Sequence, residues 1–93
     1  MIIVNAKFYI KAEKREVFLE EIQKLIASSK EETGCLGYDL YESVNSKDEF
    51  VMIENWESKE ANEKHNSNPL LLAFAQNIGQ YSLKRPVLQI VKM

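Results

Sequence analysis

The chain has 93 residues, 45% of them hydrophobic, and a formal net charge of −2. That length makes one domain, residues 1–93, which alone buries only roughly two thirds of its unfolded surface, so association with a second copy would add stability. Lys and Arg are scattered rather than gathered into a stripe, which leaves no landing site for a phosphate backbone and speaks against nucleic acid as a partner.

The one cysteine, Cys35, permits neither an internal disulfide nor a Cys-rich metal site. The start, Met1-Ile2-Ile3-Val4, lacks the basic segment and long apolar core of a signal peptide. No apolar run approaches the roughly 20 residues needed to span a bilayer. The expectation is a cytoplasmic protein with no membrane partner.

Ile2 to Ile10, rich in β-branched and aromatic residues, reads as the first strand. Glu13 to Glu32 follows with apolar residues at Val17, Phe18, Ile22, Leu25 and Ile26, a helical spacing, and Gly34 is placed to stop that helix. Leu36 to Val44 predicts a second strand, with Tyr38 and Leu40 on one face and Tyr41 on the other. Asn45-Ser46-Lys47-Asp48 is a polar turn, and Glu49 to Glu57 a third strand. Ser58 caps a short helix through His65. Asn68-Pro69 restarts a helix over Leu70 to Ile78, with Gly79 as its end. Arg85-Pro86 leads into a last strand, Val87 to Lys92.

The order β-α-β-β-α-β predicts an α+β, ferredoxin-like fold: a four-stranded antiparallel sheet with helices on one face. A sheet with one face in water should alternate apolar and polar residues. Ile2-Ile3-Val4, Val51-Met52-Ile53 and Val87-Leu88 instead place apolar groups on both faces. Helices cover one face only, so a homodimer packed through its sheet faces is expected.

Chemistry points to the stretch from Phe50 to His65. Period-two alternation puts Phe50, Met52, Glu54 and Trp56 on one face of the third strand. A carboxylate among such neighbours is either satisfied by a hydrogen-bond donor or held toward its neutral form. Trp56, the only tryptophan, is either a core anchor or a donor of its indole N–H to a bound oxygen. His65, the only histidine, suits a general base, and equally a positive charge at a helix C-terminus. Asn5 interrupts an apolar strand, so it lines a cavity or sits near a sheet edge. There is no Gly-rich nucleotide loop, no Walker sequence and no Ser nucleophile elbow, and one His among scattered acids makes a weak metal site. An enzyme built on this chain is expected to need no nucleotide, flavin or metal.

Glu31-Glu32-Thr33-Gly34-Cys35-Leu36-Gly37-Tyr38, then Phe50-Val-Met-Ile-Glu54-Asn-Trp56-Glu-Ser58, then His65, together resemble the antibiotic biosynthesis monooxygenase (ABM) domain family over nearly the whole chain. The strings Gly-Cys-x-Gly-Tyr and Met-Ile-Glu-x-Trp-Glu-Ser are similar to its quinol monooxygenase-like branch. The resemblance implies a dimeric α+β barrel that binds small aromatic molecules between sheet and helices. It implies cofactor-independent oxidation of a quinol-like or phenolic substrate by O2, since a deprotonated phenol can itself reduce O2 inside a dry pocket.

The chain departs from the polyketide oxidisers at Met52, where they carry Asn, and at Asn62, near a Tyr of theirs. Leu72-Ala73-Phe74-Ala75-Gln76 contains no His to ligate iron, so haem degradation is not expected. Related isomerases of a small phosphorylated carbonyl compound retain a comparable His, and Lys84 with Arg85 would then meet the phosphate. A dimeric, non-catalytic ligand-binding module is the remaining alternative. For the monooxygenase, the expected catalytic residues are His65 as base, with Trp56 and Asn5 orienting substrate or O2. Tyr38, Phe50, Met52, Glu54 and Phe74 are the expected substrate-binding residues.

Overall fold

The computed structural model describes residues 1–93. The elements in order are β1 (Ile2–Ile10), α1 (Arg15–Lys30), β2 (Cys35–Glu42), β3 (Glu49–Trp56), α2 (Lys59–His65), α3 (Pro69–Tyr81) and β4 (Ser82–Lys92). The four strands form one antiparallel sheet in the order β2-β3-β1-β4, the ferredoxin-like arrangement. All three helices lie over one face, and no helix is long and apolar enough to cross a membrane.

Register decides what the helices meet. Ile2, Val4, Ala6, Phe8 and Ile10 of β1 are buried, and so are Phe50, Met52, Glu54 and Trp56 of β3. Val4 pairs with Glu54, and Glu54 pairs with Tyr38, so these three form one rung across the helix-side face. An irregularity in β2 between Cys35 and Gly37 lets Leu36 bulge outward and brings Tyr38 inward. From above, α1 contributes Phe18, Ile22, Leu25 and Ser29, one stripe of its surface. The four phenylalanines, Phe8, Phe18, Phe50 and Phe74, gather in one cluster with neighbouring ring centroids 5.1–6.1 Å apart.

Several boundaries differ from the expected ones, each for a local reason. The first helix is split: Ala12–Lys14 is a single 3-10 turn, and the α-helix ends at Lys30. There Glu31 and Glu32 donate their N–H groups to the carbonyls of Ser28 and Ser29. The second strand begins at Cys35 and stops at Glu42, because Ser43 turns its hydroxyl to accept the N–H groups of Asn45 and Ser46. Ser58 and Asn68 cap α2 and α3 as expected, accepting from the N–H groups of Ala61 and Leu70. Gly79 does not end α3, which runs to Tyr81, whose hydroxyl donates to Glu21 Oε1 at 2.6 Å and pins the last turn. That short bond pushes the Tyr81 phenol up to about 12. The last strand begins at Ser82, and Pro86 is accommodated where its pairing to β1 slips between Lys7 and Tyr9, on an edge strand.

The hairpin from β2 to β3 is tied back to α1 by Arg15, which makes a two-pronged pair with Glu42 (2.6 and 2.8 Å) and donates to Asp48 at 2.7 Å. Arg15 holds the Glu42 carboxyl down to about 2.

Gly34 is the tightest backbone point. Its φ is +84°, and a Cβ built there would lie 2.5 Å from the Ala61 Cβ. The turn after α1 therefore touches α2 with no room for a side chain. Gly34→Ala is expected to cost roughly 2–4 kcal/mol, from left-handed strain plus the clash, read as a lower urea midpoint with an unchanged slope.

Candidate functional site

Between the sheet and the helices lies a cavity of about 170 Å³. Ala6, Met52, Glu54 and Tyr38 rise from the strands; Ile22 and Leu25 of α1 and Leu71, Phe74 and Ile78 of α3 close it from above. Pro86 and Leu88 of β4 form one rim, and Leu88 is largely exposed. The wall is almost wholly apolar: Glu54 and Tyr38 are the only lining residues with polar side chains, and no Lys or Arg reaches it. A dry apolar cavity of ~150 Å³ suffices for a benzene ring, so this one matches a single small aromatic ring.

Behind Glu54 and Tyr38 runs a buried polar chain. The Trp56 indole donates its N–H to Glu54 Oε1 at 3.0 Å. Tyr38 Oη lies 3.2 Å from His65 Nε2, and Glu54 Oε1 lies 3.9 Å from the same nitrogen. His65 Nδ1 is 2.7 Å from Glu32 Oε2, which also accepts from Asn68 Nδ2 at 3.0 Å. A carboxylate only accepts, so Nδ1 carries the hydrogen, and in the neutral ring Nε2 accepts from the Tyr38 hydroxyl. The imidazole lies 4.6 Å from the Trp56 ring, centroid to centroid, tilted by 32°. The Ser29 hydroxyl is fully buried beside Tyr38, within reach of its phenolic oxygen.

The register brings these groups together. Glu54 and Trp56 are two apart on β3, hence on one face, and Tyr38 is their neighbour on the next strand. His65 occupies the last turn of α2, which Ser58 starts immediately after β3. The glycine turn at Gly34 keeps Glu32 within reach of that turn.

Burial pushes the Glu54 carboxyl up, against the Trp56 N–H and the nearby imidazole, which favour its ionised form. Burial likewise pushes the Tyr38 phenol far above its ordinary range, with Glu54 adding to the effect, so Tyr38 stays a neutral hydroxyl. A carboxyl held toward its neutral form at the end of an apolar cavity is suited to exchanging a proton with a bound hydroxyl group.

Of the residues expected at the site, Tyr38, Met52, Glu54 and Phe74 line the cavity. Trp56 and His65 belong to the polar chain, yet neither touches the cavity, because Glu54 and Tyr38 stand between. Phe50 packs in the aromatic cluster under the Arg15 guanidinium, outside the cavity wall. Asn5 is not brought to the site. It pairs with Ile53 and Gln89 on the opposite face of the sheet, one residue out of step with Val4 and Ala6. Lys84 stands 4.1 Å over the Tyr9 ring, its pairing partner on that same opposite face. Glu32 was not among the expected site residues. Its distance from His65 along the chain hides it, and only the Glu-x-Gly turn hints that it stays near α2. No three His, Cys, Asp or Glu side chains converge in metal-binding geometry.

The sequence model of the antibiotic biosynthesis monooxygenase family matches residues 1–77. The "Putative monooxygenase YcnE" of Bacillus subtilis is 38% identical over 87 residues, covering 94% of this chain and 90% of that protein. The "Putative monooxygenase Rv0793" of Mycobacterium tuberculosis is 31% identical over 86 residues, covering 92% of this chain and 83% of that protein. The solved structure of Rv0793 superposes with a TM-score of 0.92, covering 99% of this chain and 93% of that one at 25% identity.

Glu54→Gln keeps an acceptor for Trp56 while removing the buried charge. A carboxyl whose folded-state value is raised stabilises the fold fully below the ordinary carboxylate range and loses that contribution as pH rises through the folded value. Glu54→Gln is therefore expected to raise Tm at pH 7 relative to the parent, and to lose that advantage below pH ~4, measured by calorimetry at both values.

Proposed function

Because the chain belongs to the antibiotic biosynthesis monooxygenase family, we propose that it oxidises a small quinol-like or phenolic aromatic with O2 and without a cofactor. The observation that carries this reading is the apolar cavity whose two polar wall groups, Glu54 and Tyr38, are backed by the buried His65. The cavity selects an aromatic ring by shape and apolar contact, and it excludes the water that would otherwise solvate an anion.

In this reading the substrate hydroxyl points at Glu54, and His65 acts as the base through that carboxylate. Removing the phenol proton makes the ring an electron donor. O2 takes the electrons, a carbon–oxygen bond forms, and the O–O bond breaks. One oxygen atom stays in the product and the other leaves as water, so a hydroquinone becomes a hydroxyquinone with no outside reductant. Trp56 and Tyr38 hold Glu54 and His65 in position rather than meeting the substrate's oxygen directly. Met52 and Phe74 supply apolar wall.

The proposed active form is a homodimer packed through the open sheet face. Ile3, Val51 and Ile53 are half-buried there, and Val87 and Val91 are about half exposed, a contiguous apolar area of the kind that marks an interface. Ile53→Lys would place a charge at its centre without touching the cavity. The expected outcome is a parent of twice the chain mass in light scattering at micromolar concentration and a monomeric variant; a monomeric parent overturns the dimer.

The activity is tested by O2 uptake of chelator-treated protein with a panel of hydroquinones and anthrones, using 18O2 to follow incorporation. One labelled oxygen per product is expected, with kcat at least ~10²-fold lower in His65→Ala and an unchanged circular dichroism spectrum. Uptake no faster than autoxidation across the panel, with panel members bound tightly, would replace the enzyme by a ligand-binding module.

A further inference from the structure

Three acids and bases lie in a row from cavity to surface. Glu54 stands at the cavity wall with its side chain 9% exposed, His65 is sealed behind it at 3%, and Glu32 is 22% exposed. Glu32 borders a shallow polar hollow with Thr33, Lys64 and Ser67. A base as enclosed as His65 cannot draw on water to stabilise a proton it receives. The ionisable groups facing it are Glu32 from the turn after α1, Tyr38 from β2 and Glu54 from β3.

Building on the reading above, we propose that Glu32 is the positioning residue of this site: it fixes His65 in the Nδ1–H tautomer and holds the imidazolium that forms when a substrate proton reaches Nε2 through Glu54. The step balances. The substrate O–H bond breaks as a Glu54 O–H forms. Tyr38, 3.2 Å from Nε2, gives its hydroxyl hydrogen to His65 as it takes the one from Glu54, which returns to a carboxylate. The imidazolium keeps both N–H bonds, with Nδ1–H on Glu32. The proton goes back the same way when the O–O bond breaks and oxygen leaves as water, so each turnover ends as it began.

One further feature fits this role. Asn68, the α3 cap, donates to the same Glu32 oxygen that meets His65, so the carboxylate is held by a donor on each side.

The chain contains one histidine, so a single set of imidazole 15N resonances reports this residue alone. Long-range 1H–15N spectra are expected to show the Nδ1–H tautomer in the parent and a mixture of tautomers in Glu32→Gln. A parent in the Nε2–H form, or an unchanged tautomer in Glu32→Gln, overturns the proposal, and neither result depends on a substrate. With a substrate from the O2-uptake panel, Glu32→Gln is expected to lower kcat about 10- to 100-fold with KM within about threefold, as for loss of a group that orients a histidine. Glu32→Asp, with its carboxylate kept, is expected to recover most of the loss. An unchanged kcat in Glu32→Gln, or equal losses in Gln and Asp variants that retain the parent circular dichroism spectrum, overturns it as well. Failure of the panel to turn over would count against the oxygenase, and the tautomer spectra would still decide the role of Glu32.

Discussion

The two-residue period of β3 is the constraint on which the site depends. With Phe50 and Met52 turned toward the helices, Glu54 and Trp56 must turn there too, whatever the cost of burying a carboxylate. Slipping the strand by one residue would send Glu54 to the open face and put Asn55 in its place. The aromatic cluster opposes that slip, because Phe50 packs on Phe18, which in turn meets Phe8 and Phe74. The hydrophobic core and the polar chain are thus one arrangement, and the core holds the chain in place.

The polar chain offsets only part of the cost of burying Glu54. One Trp56 N–H, the Tyr38 hydroxyl and a histidine at 3.9 Å do not offset that cost fully, and burial still drives its proton affinity up. A protein selected for stability alone would place an apolar residue there. The contrast with Glu42 is instructive. It sits near the surface, is gripped by both prongs of Arg15, and is pushed the other way. The same carboxylate chemistry serves as an anchor in one place and is proposed to exchange protons in the other, and only the environments differ.

Much of this was legible from residue order. Alternation along Glu49–Trp56 assigned the shared face of Phe50, Met52, Glu54 and Trp56, and the caps at Ser58 and Asn68 were readable because their side chains act within two or three residues. Asn5 shows where such reasoning stops. Its type suggested a cavity lining or a place near a sheet edge, but the phase of β1 turns it away from the cavity, and no local signal says which phase faces the helices. Phe50 and His65 were expected at the cavity from their neighbours on the chain; packing depth, which sequence does not encode locally, sets both behind the wall. Glu32 was invisible for a related reason: its contact with His65 spans two elements and is made by a turn. The early end expected at Gly79 failed because a tertiary bond, Tyr81 to Glu21, outweighs the helix-breaking tendency of glycine.

The single tryptophan packs its ring, tilted, against the single histidine. An excited indole passes an electron readily to a protonated imidazole in contact with it, and far less readily to a neutral one. The brightness of this protein under ultraviolet light is therefore a gauge of the charge on His65, read from one ring by the ring beside it. Because the same indole also donates to Glu54, events at the cavity wall and events at the buried base reach the same chromophore. The fold carries its own optical meter at the place where its chemistry is proposed, with no label attached.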